Sequence, residues 1–508
     1  MATQFSHNFV QITSMAEDST IEEINEVMNQ AWLAFHEYRK FSLKQRATFM
    51  RTIAMEIAML GDEILPITSS ETNLAEPRLQ SELTRTIFQL NSYADTCEQG
   101  AWLEARIDTA IPDRDPPRSD IRKMSIPLGP VVVFGASNFP YAYSTAGGDT
   151  ACALAAGCPV IVKAHPAHPK TSDMVAGAIM RAAKKCTMPH GIFAHIHGAG
   201  HQVGKALVTH PYTKAVGFTG SYTGGKALFE WGNQREEPIP VFAEMGSTNP
   251  VFLLPEKLNQ SAEELAKELA VSLNLSVGQF CTNPGLIIAV EGDGLQRFLE
   301  ALGNEIRATA PATMLHPGIA KGYVERRARA LSQKEVNTIA VSSTEPGENQ
   351  GTPTVAATQG KTFLSNHILQ EEVFGPYSMV VRCKTIDEMI EVARRTAGQL
   401  TCSVMATEAD MLANDELVEA LKNICGRFIL NGVPTGVEVC LSMHHGGPYP
   451  ATTDSRFTSV GADGIKRFAR PICFQNWPDT LLPDELKNDN PLGIWRTINN
   501  ELTREKVK

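Results

Sequence analysis

The sequence predicts an α/β protein with a parallel sheet covered on both faces. Three observations carry that prediction. From Pro130 onward, short apolar runs alternate with stretches at helical spacing. The runs are β-branched and unbroken, as buried parallel strands are. A glycine-rich turn follows one of the later strands, where an α/β sheet presents its ligand side, although the run after the first strand lacks the usual dinucleotide fingerprint. The first strand is Val131 to Phe134, followed by a small-residue helix from about Ser144 to Ala156 and a strand from Val160 to Lys163. A helix begins near Thr171, with Val175, Ala178, Ile179, Ala182 and Ala183 on one face. Further strands fall at Ile192 to Ile196, Ala215 to Phe218 and Val241 to Ala243, and helices start near His201 and Thr223.

Before this unit the chain reads as helices. Thr20 and Glu23 form a capping-box pattern ahead of Ile24, Val27, Met28, Ala31 and Phe35. Helical stretches follow at about Leu43 to Leu60 and around Arg85 to Cys97. Pro112, Pro116 and Pro117 make Asp108 to Asp120 extended. A second α/β region spans about Ala262 to Leu430, with strands at Leu286 to Val290 and Met379 to Arg382. The tail beyond Ile465 reads as an extended arm. The division expected is a cofactor unit over 1–243, a catalytic unit over 244–440, and a return segment with an oligomerisation arm over 441–508.

The chain has 508 residues, 43% of them hydrophobic and 20% charged, which suits a folded protein of two or three domains. Its 46 basic against 56 acidic residues give a net charge of −10, which argues against nucleic acid as a partner. Met1 to Val10 lacks the basic-then-apolar pattern of a signal peptide, and no run of about 18 apolar residues suggests a membrane span. The ten cysteines form no CxxC pair and no zinc-ligand spacing, so no metal is expected, and the location expected is the cytoplasm.

Two residues invite chemistry. Cys281 lies in Gly278-Gln279-Phe280-Cys281-Thr282-Asn283-Pro284, a turn-like setting, although a lone cysteine is more often a small core residue. Glu244 ends a strand, where this architecture puts its functional groups, although a glutamate there is more often solvated. Phe218-Thr219-Gly220-Ser221-Tyr222-Thr223-Gly224-Gly225 could cradle a pyrophosphate at a helix start, or be a plain strand–helix turn.

Together these stretches resemble the aldehyde dehydrogenase superfamily over nearly the whole chain, and six motifs agree in order. Gly278 to Pro284 resembles the catalytic cysteine loop, Glu244-Met245-Gly246 the general-base motif, and Ser137-Asn138-Phe139-Pro140 the segment with the oxyanion asparagine. Val162-Lys163, Phe218 to Gly225 and Glu371-Glu372-Val373-Phe374-Gly375-Pro376 resemble the three cofactor motifs. The resemblance implies that Cys281 attacks the aldehyde, that Asn138 holds the oxyanion, and that Glu244 activates water on the thioester. Water as acceptor disfavours an acyl-coenzyme A product. It also implies that Lys163 bonds the adenosine ribose, that Gly220, Ser221 and Gly225 surround the pyrophosphate, that Glu372 holds the nicotinamide ribose, and that Phe374 lies by the nicotinamide. A dimer or tetramer is the assembly it suggests.

One departure bears on the cofactor. Many NAD-preferring members carry a glutamate three residues after the lysine, and here Pro166 stands there. Without that carboxylate, NADP is favoured over NAD, with His165 and His201 as positive neighbours. His165 could equally fill a turn.

Other stretches, among them Asn431 to Val439 and His445 to Thr452, resemble the branch of α-ketoglutaric semialdehyde dehydrogenases and NADP-dependent long-chain aldehyde dehydrogenases. There His445 takes the place of a histidine that approaches the active site, or it bonds backbone in a loop. Phe139 and Tyr143 would wall the substrate. A semialdehyde carboxylate needs a cation, preferably a bidentate arginine, for which Arg78, Arg85 and Arg122 are candidates. The semialdehyde is the substrate expected, the fatty aldehyde its rival. A non-catalytic relative or a simple hydrolase are the readings from other classes.

Overall fold

Parallel strands buried on both faces organise the protein. The computed structural model describes residues 18–507; the stretch Met1 to Val10, read above as no leader, lies outside them. The first sheet runs Phe193–Ile196, Val160–Lys163, Val131–Phe134, Ala215–Thr219, Val241–Glu244, all parallel. Side chains alternate across it. Val131, Val133, Val160 and Val162 pack with the helices Gly148–Ala156 and Pro169–Lys185. Val132, Ile161 and Val216 face the helices Ile21–Tyr38, His201–Thr209 and Tyr222–Asn233. Both faces being covered is why the strands read as unbroken apolar runs. The order reverses between Val131–Phe134 and Ala215–Thr219, and a crevice opens there at the carboxyl ends.

The second sheet has seven strands, in the order Asn337–Val341, Thr354–Gln359, Tyr377–Cys383, Leu286–Val290, Val251–Leu253, Gln399–Met405, Cys425–Leu430. Only the Asn337–Val341 edge strand is antiparallel. Here too alternate residues enter two cores, Phe252 and Ile288 on one side, Val251 and Ile287 on the other.

The tail packs against the proline-rich region. Ala469–Gln475 pairs antiparallel with Ile121–Pro127, and Arg106–Asp108 joins that sheet to Arg496–Ile498 and Glu501–Thr503. The segment between Asp108 and Asp120 is less extended than its prolines predict. It folds back in a turn closed by an Ile111–Arg118 bridge. Two helix boundaries also differ. The helix expected from Ser144 starts at Gly148, because Ser144 to Gly147 form turns. The helix expected around Arg85 runs from Glu76 to Gln99, with Pro77 in its first turn. The Thr20–Glu23 capping box is formed. All ten cysteines are unpaired. Among the described residues no helix is long and apolar enough to cross a membrane.

Between 441 and 468 the chain returns to the first sheet. Arg467, 4% exposed, pairs with Asp149 at 2.7 Å, and Asp149 lies against Gly217, where any Cβ would come within 2.8 Å of its carboxylate. This ion pair therefore ties the return segment to a helix and a strand of the first unit. Arg467→Ala would leave Asp149 without a counter-ion and should cost about 3–5 kcal/mol. The check is denaturant unfolding, in which the midpoint falls and Asp149→Ala added to Arg467→Ala restores part of the loss.

Candidate active site

The carboxyl ends of the first sheet and the loop before Leu286–Val290 enclose a cavity of about 450 Å³, lined by Asn138, Ser221, Glu244, Cys281, Glu372 and Phe374 among others. Of the residues singled out in the sequence, Gly220 and His165 also line it.

Cys281 follows a strained turn. Ser276, Val277 and Gly278 all have positive φ, at 47°, 58° and 64°, which for a β-branched valine is costly. At Gly278 a Cβ would lie 2.3 Å from the Gly375 backbone, so only glycine fits. The loop is pinned by Asn249, whose Nδ2 donates to the carbonyls of Cys281 at 2.8 Å and Asn283 at 3.0 Å. Gln399 in turn fixes the stretch after Glu244, its Oε1 accepting from the amides of Thr248 and Asn249 at 2.8 and 3.0 Å.

Three distant stretches meet at the thiol. The His445 Nε2 lies 3.5 Å from Cys281 Sγ and 3.1 Å from Glu244 Oε1. Ser459 Oγ donates to Glu244 Oε2 and lies 3.0 Å from the His445 carbonyl. The His445 amide donates to Thr458 Oγ1 at 2.9 Å, while its Nδ1 has no partner among the described residues. Glu244 and His445 are buried, at 3% and 0% exposed. Of the two environments proposed for His445, the structure therefore has the imidazole at the reactive group, not on loop backbone.

The electrostatics separate the two acids. Burial raises the Cys281 thiol, and the adjacent Glu244 charge raises it further, so it stands well above the usual thiol range, with Arg85 opposing. Burial also pulls Glu244 upward, but His445 and the hydrogen bonds of Ser459 and Cys281 outweigh it and leave the carboxyl below its ordinary value. At neutral pH the carboxylate is ionised and the thiol holds its proton. Asn138 Nδ2 donates to the Gln279 carbonyl at 3.1 Å, beside Cys281. Phe139 stands edge-on to Tyr143 at 5.2 Å and to Phe280 at 5.4 Å, forming a wall.

On the other side of the cavity, Ser221 caps the helix Tyr222–Asn233, accepting from the Gly224 amide at 3.2 Å. The two glycines are required by packing: a Cβ at Gly220 would meet Phe218 at 2.6 Å, and at Gly225 would meet Met245 at 2.5 Å. Gly246 lets Glu372 approach within 2.5 Å of where a Cβ would be. Burial raises the Glu372 carboxyl to about 7, against Arg326 and a Ser247 amide. These residues fit a dinucleotide: a capped helix start for phosphates, then a carboxyl for a ribose, then Phe374, ending at Cys281. Lys163 ends its strand half-buried, its ammonium lowered by burial and supported by Asp18.

Two expectations fail here. His165 is not a positive neighbour. Burial first, then His168, Lys163 and His316, hold its imidazole well below the usual range, and its Nδ1 accepts from the Ala167 amide at 3.1 Å, closing a turn. His201 is exposed at the start of its helix, just after two amides that a carboxylate engages. Asp18 accepts from the amides of Ala199 at 2.7 Å and Gly200 at 3.4 Å. Arg122 is not near the cavity either. It is held in the arm by Asp120 at 2.8 Å and the Leu486 carbonyl at 2.6 Å. Ser459, Gln399 and Asp18 were not singled out in the sequence, since nothing local marks them. Asn249 sits in the stretch after Glu244 and could have been.

The comparisons with known proteins agree with this geometry. The model of the aldehyde dehydrogenase family matches residues 8–448. α-Ketoglutaric semialdehyde dehydrogenase 2 of Azospirillum brasilense is 47% identical over 465 residues, covering 91% of this chain and 88% of that protein. The α-ketoglutaric semialdehyde dehydrogenase of Acinetobacter baylyi is 44% identical over 488 residues, covering 96% and 92%. Among solved structures, 1-pyrroline-5-carboxylate dehydrogenase from Thermus with bound NAD superposes with a TM-score of 0.75 at 21% identity, covering 90% of this chain and 86% of that one. That likeness concerns the fold. With the family model spanning most of the sequence, the chain belongs to the aldehyde dehydrogenase family and is an NAD(P)-dependent oxidoreductase acting on aldehydes.

Proposed function

We propose that this enzyme oxidises α-ketoglutaric semialdehyde to 2-oxoglutarate through a thioester on Cys281. The observation that carries the mechanism is the convergence of Cys281, His445, Glu244 and Ser459 at the end of one cavity. The names of the two relatives at 44–47% identity support the substrate.

Cys281 Sγ attacks the aldehyde carbon once its proton is lost to the His445–Glu244 side, giving a thiohemiacetal. Asn138 Nδ2 turns from the Gln279 carbonyl to the new oxyanion; losing such a donor costs about 2.7–4 kcal/mol of barrier. NAD(P), when bound, supplies the hydride acceptor. Glu244, kept ionised, then takes a proton from water that attacks the thioester, and Ser459 and His445 hold it in place. Lys163, Gly220, Ser221, Gly225, Glu372 and Phe374 hold the cofactor. Residues 1–243 serve as the cofactor unit, 244–440 as the catalytic unit, and 441–508 as the return segment and arm, through which a homodimer or homotetramer assembles. Ten unpaired cysteines support a reducing, cytoplasmic setting.

NADP is the favoured cofactor, since Pro166 brings no carboxylate to a 2′-phosphate. The acid whose charge acts on Lys163 is instead Asp18, on another segment.

In stopped-flow reduction of the cofactor, Cys281→Ala should show no turnover while cofactor binding persists. Glu244→Gln should keep a burst of about one equivalent and lose steady-state turnover; a mutant without a burst contradicts this order of steps. Asp18→Asn should raise the NADP-to-NAD ratio of kcat/KM several-fold. An unchanged ratio would remove Asp18 from cofactor choice.

A further inference from the structure

We propose that Arg85 forms the anchor for a carboxylate at the far end of the substrate, so that this enzyme selects aldehydes that are also acids. The proposal rests on the aldehyde-oxidising reading above and adds the subsite that reading lacks.

The helix Glu76–Gln99 packs its arginines over Phe139 and Tyr143, the residues expected to wall the substrate. Arg78, Glu82, Arg85 and Gln89 are spaced four, three and four residues apart and so share one face. That face follows the chain from Asn138 to Gly148. Arg78 Nη2 donates to the Asn138 carbonyl at 2.7 Å, and its guanidinium lies over Phe139 at 4.9 Å and Phe280 at 5.5 Å. Glu82 Oε1 accepts from the amides of Tyr141 at 2.8 Å and Ala142 at 3.0 Å. Arg85 lies over Tyr143 at 5.9 Å. Gln89 Nε2 is 3.2 Å from where a Gly148 Cβ would be.

These polar groups differ in how they are satisfied. Arg78 has a carboxylate neighbour, Glu82, at 3.6 Å, and a firm bond to backbone. Arg85 has no ion pair and no bond to backbone among the described residues, although Glu82 lies near enough to feel its charge: its Nε and Nη2 are both buried and both without an acceptor. Buried polar groups are nearly always hydrogen-bonded, and a dry guanidinium with open donors is costly. Nε and Nη2 form one edge of the guanidinium, with parallel N–H bonds. That edge is the one a carboxylate engages with both oxygens. Arg85 is also close enough to act on the Cys281 thiol and the Tyr143 phenol, opposing the rise that burial causes in each. An unpaired, pre-positioned bidentate donor over the Tyr143 ring fits a substrate with an acid group and penalises one without it. A fatty aldehyde would bury both donors unpaired. A site built around such a group rejects the analogue that cannot pair with it.

The test compares α-ketoglutaric semialdehyde with pentanal, a five-carbon aldehyde without the acid, in the holoenzyme. Wild type should prefer the semialdehyde. Arg85→Met should lower the ratio of the two kcat/KM values by about 30-fold or more, mainly through KM. Arg85→Lys, which keeps charge but not the parallel donors, should fall between. Glutarate should compete with the semialdehyde in wild type and lose potency in Arg85→Met in the same proportion. Equal losses on both aldehydes, or undiminished glutarate inhibition, would overturn the proposal and leave Arg85 as an aid to the thiol or to folding. Wild type preferring pentanal would instead refute the semialdehyde reading itself.

Discussion

A buried carboxylate and a half-buried thiol share one site, bridged by a single imidazole nitrogen. Both cannot ionise cheaply together, because burial weakens the solvation of each and like charges would lie side by side. The protein settles the conflict by hydrogen bonding. Glu244 receives His445, Ser459 and the Cys281 thiol itself, whereas the sulfur has a long contact to His445. The carboxylate thus keeps its charge and the thiol keeps its proton until a reaction calls for it. The same asymmetry gives each residue a separate step in a two-stage reaction, one as nucleophile and one as base.

Much of the architecture serves this meeting. Glu244, Cys281, His445 and Ser459 come from a strand end, a strained turn and a segment that returns from beyond the second sheet. Asn249 and Gln399 bond backbone rather than substrate, fixing the turn that carries Cys281. The Arg467–Asp149 pair anchors the return segment onto the first unit. An unsupported turn with three positive φ angles would relax, and the thiol would lose its place.

The first sheet was legible because its strands are buried on both sides: Val160–Lys163 reads as a strand in the sequence and is one over the same residues. The helix start at Gly148 was misplaced because Ser144 and Thr145 carry no local sign that they turn. Cys281, Glu244 and Asn138 were readable only as a set of motifs in order, since each alone suits a bland role. His445 could be named but not placed, for its proximity to Cys281 is a long-range fact. Ser459 and Asp18 act solely through tertiary contacts, which spacing along the chain does not record. The charge assigned to His165 went wrong for a similar reason. Burial decides it, not residue type.

The central claim is that burial and the adjacent Glu244 charge together hold the proton on Cys281. Its most direct test is the rate of Cys281 alkylation by iodoacetamide in cofactor-free enzyme, measured from pH 6 to 10. A raised thiol means slow alkylation at neutral pH and a rate still climbing at the alkaline end. Removing the neighbouring charge in Glu244→Gln should move that profile to lower pH and speed alkylation at pH 8. Superimposable profiles for wild type and Glu244→Gln would contradict the account.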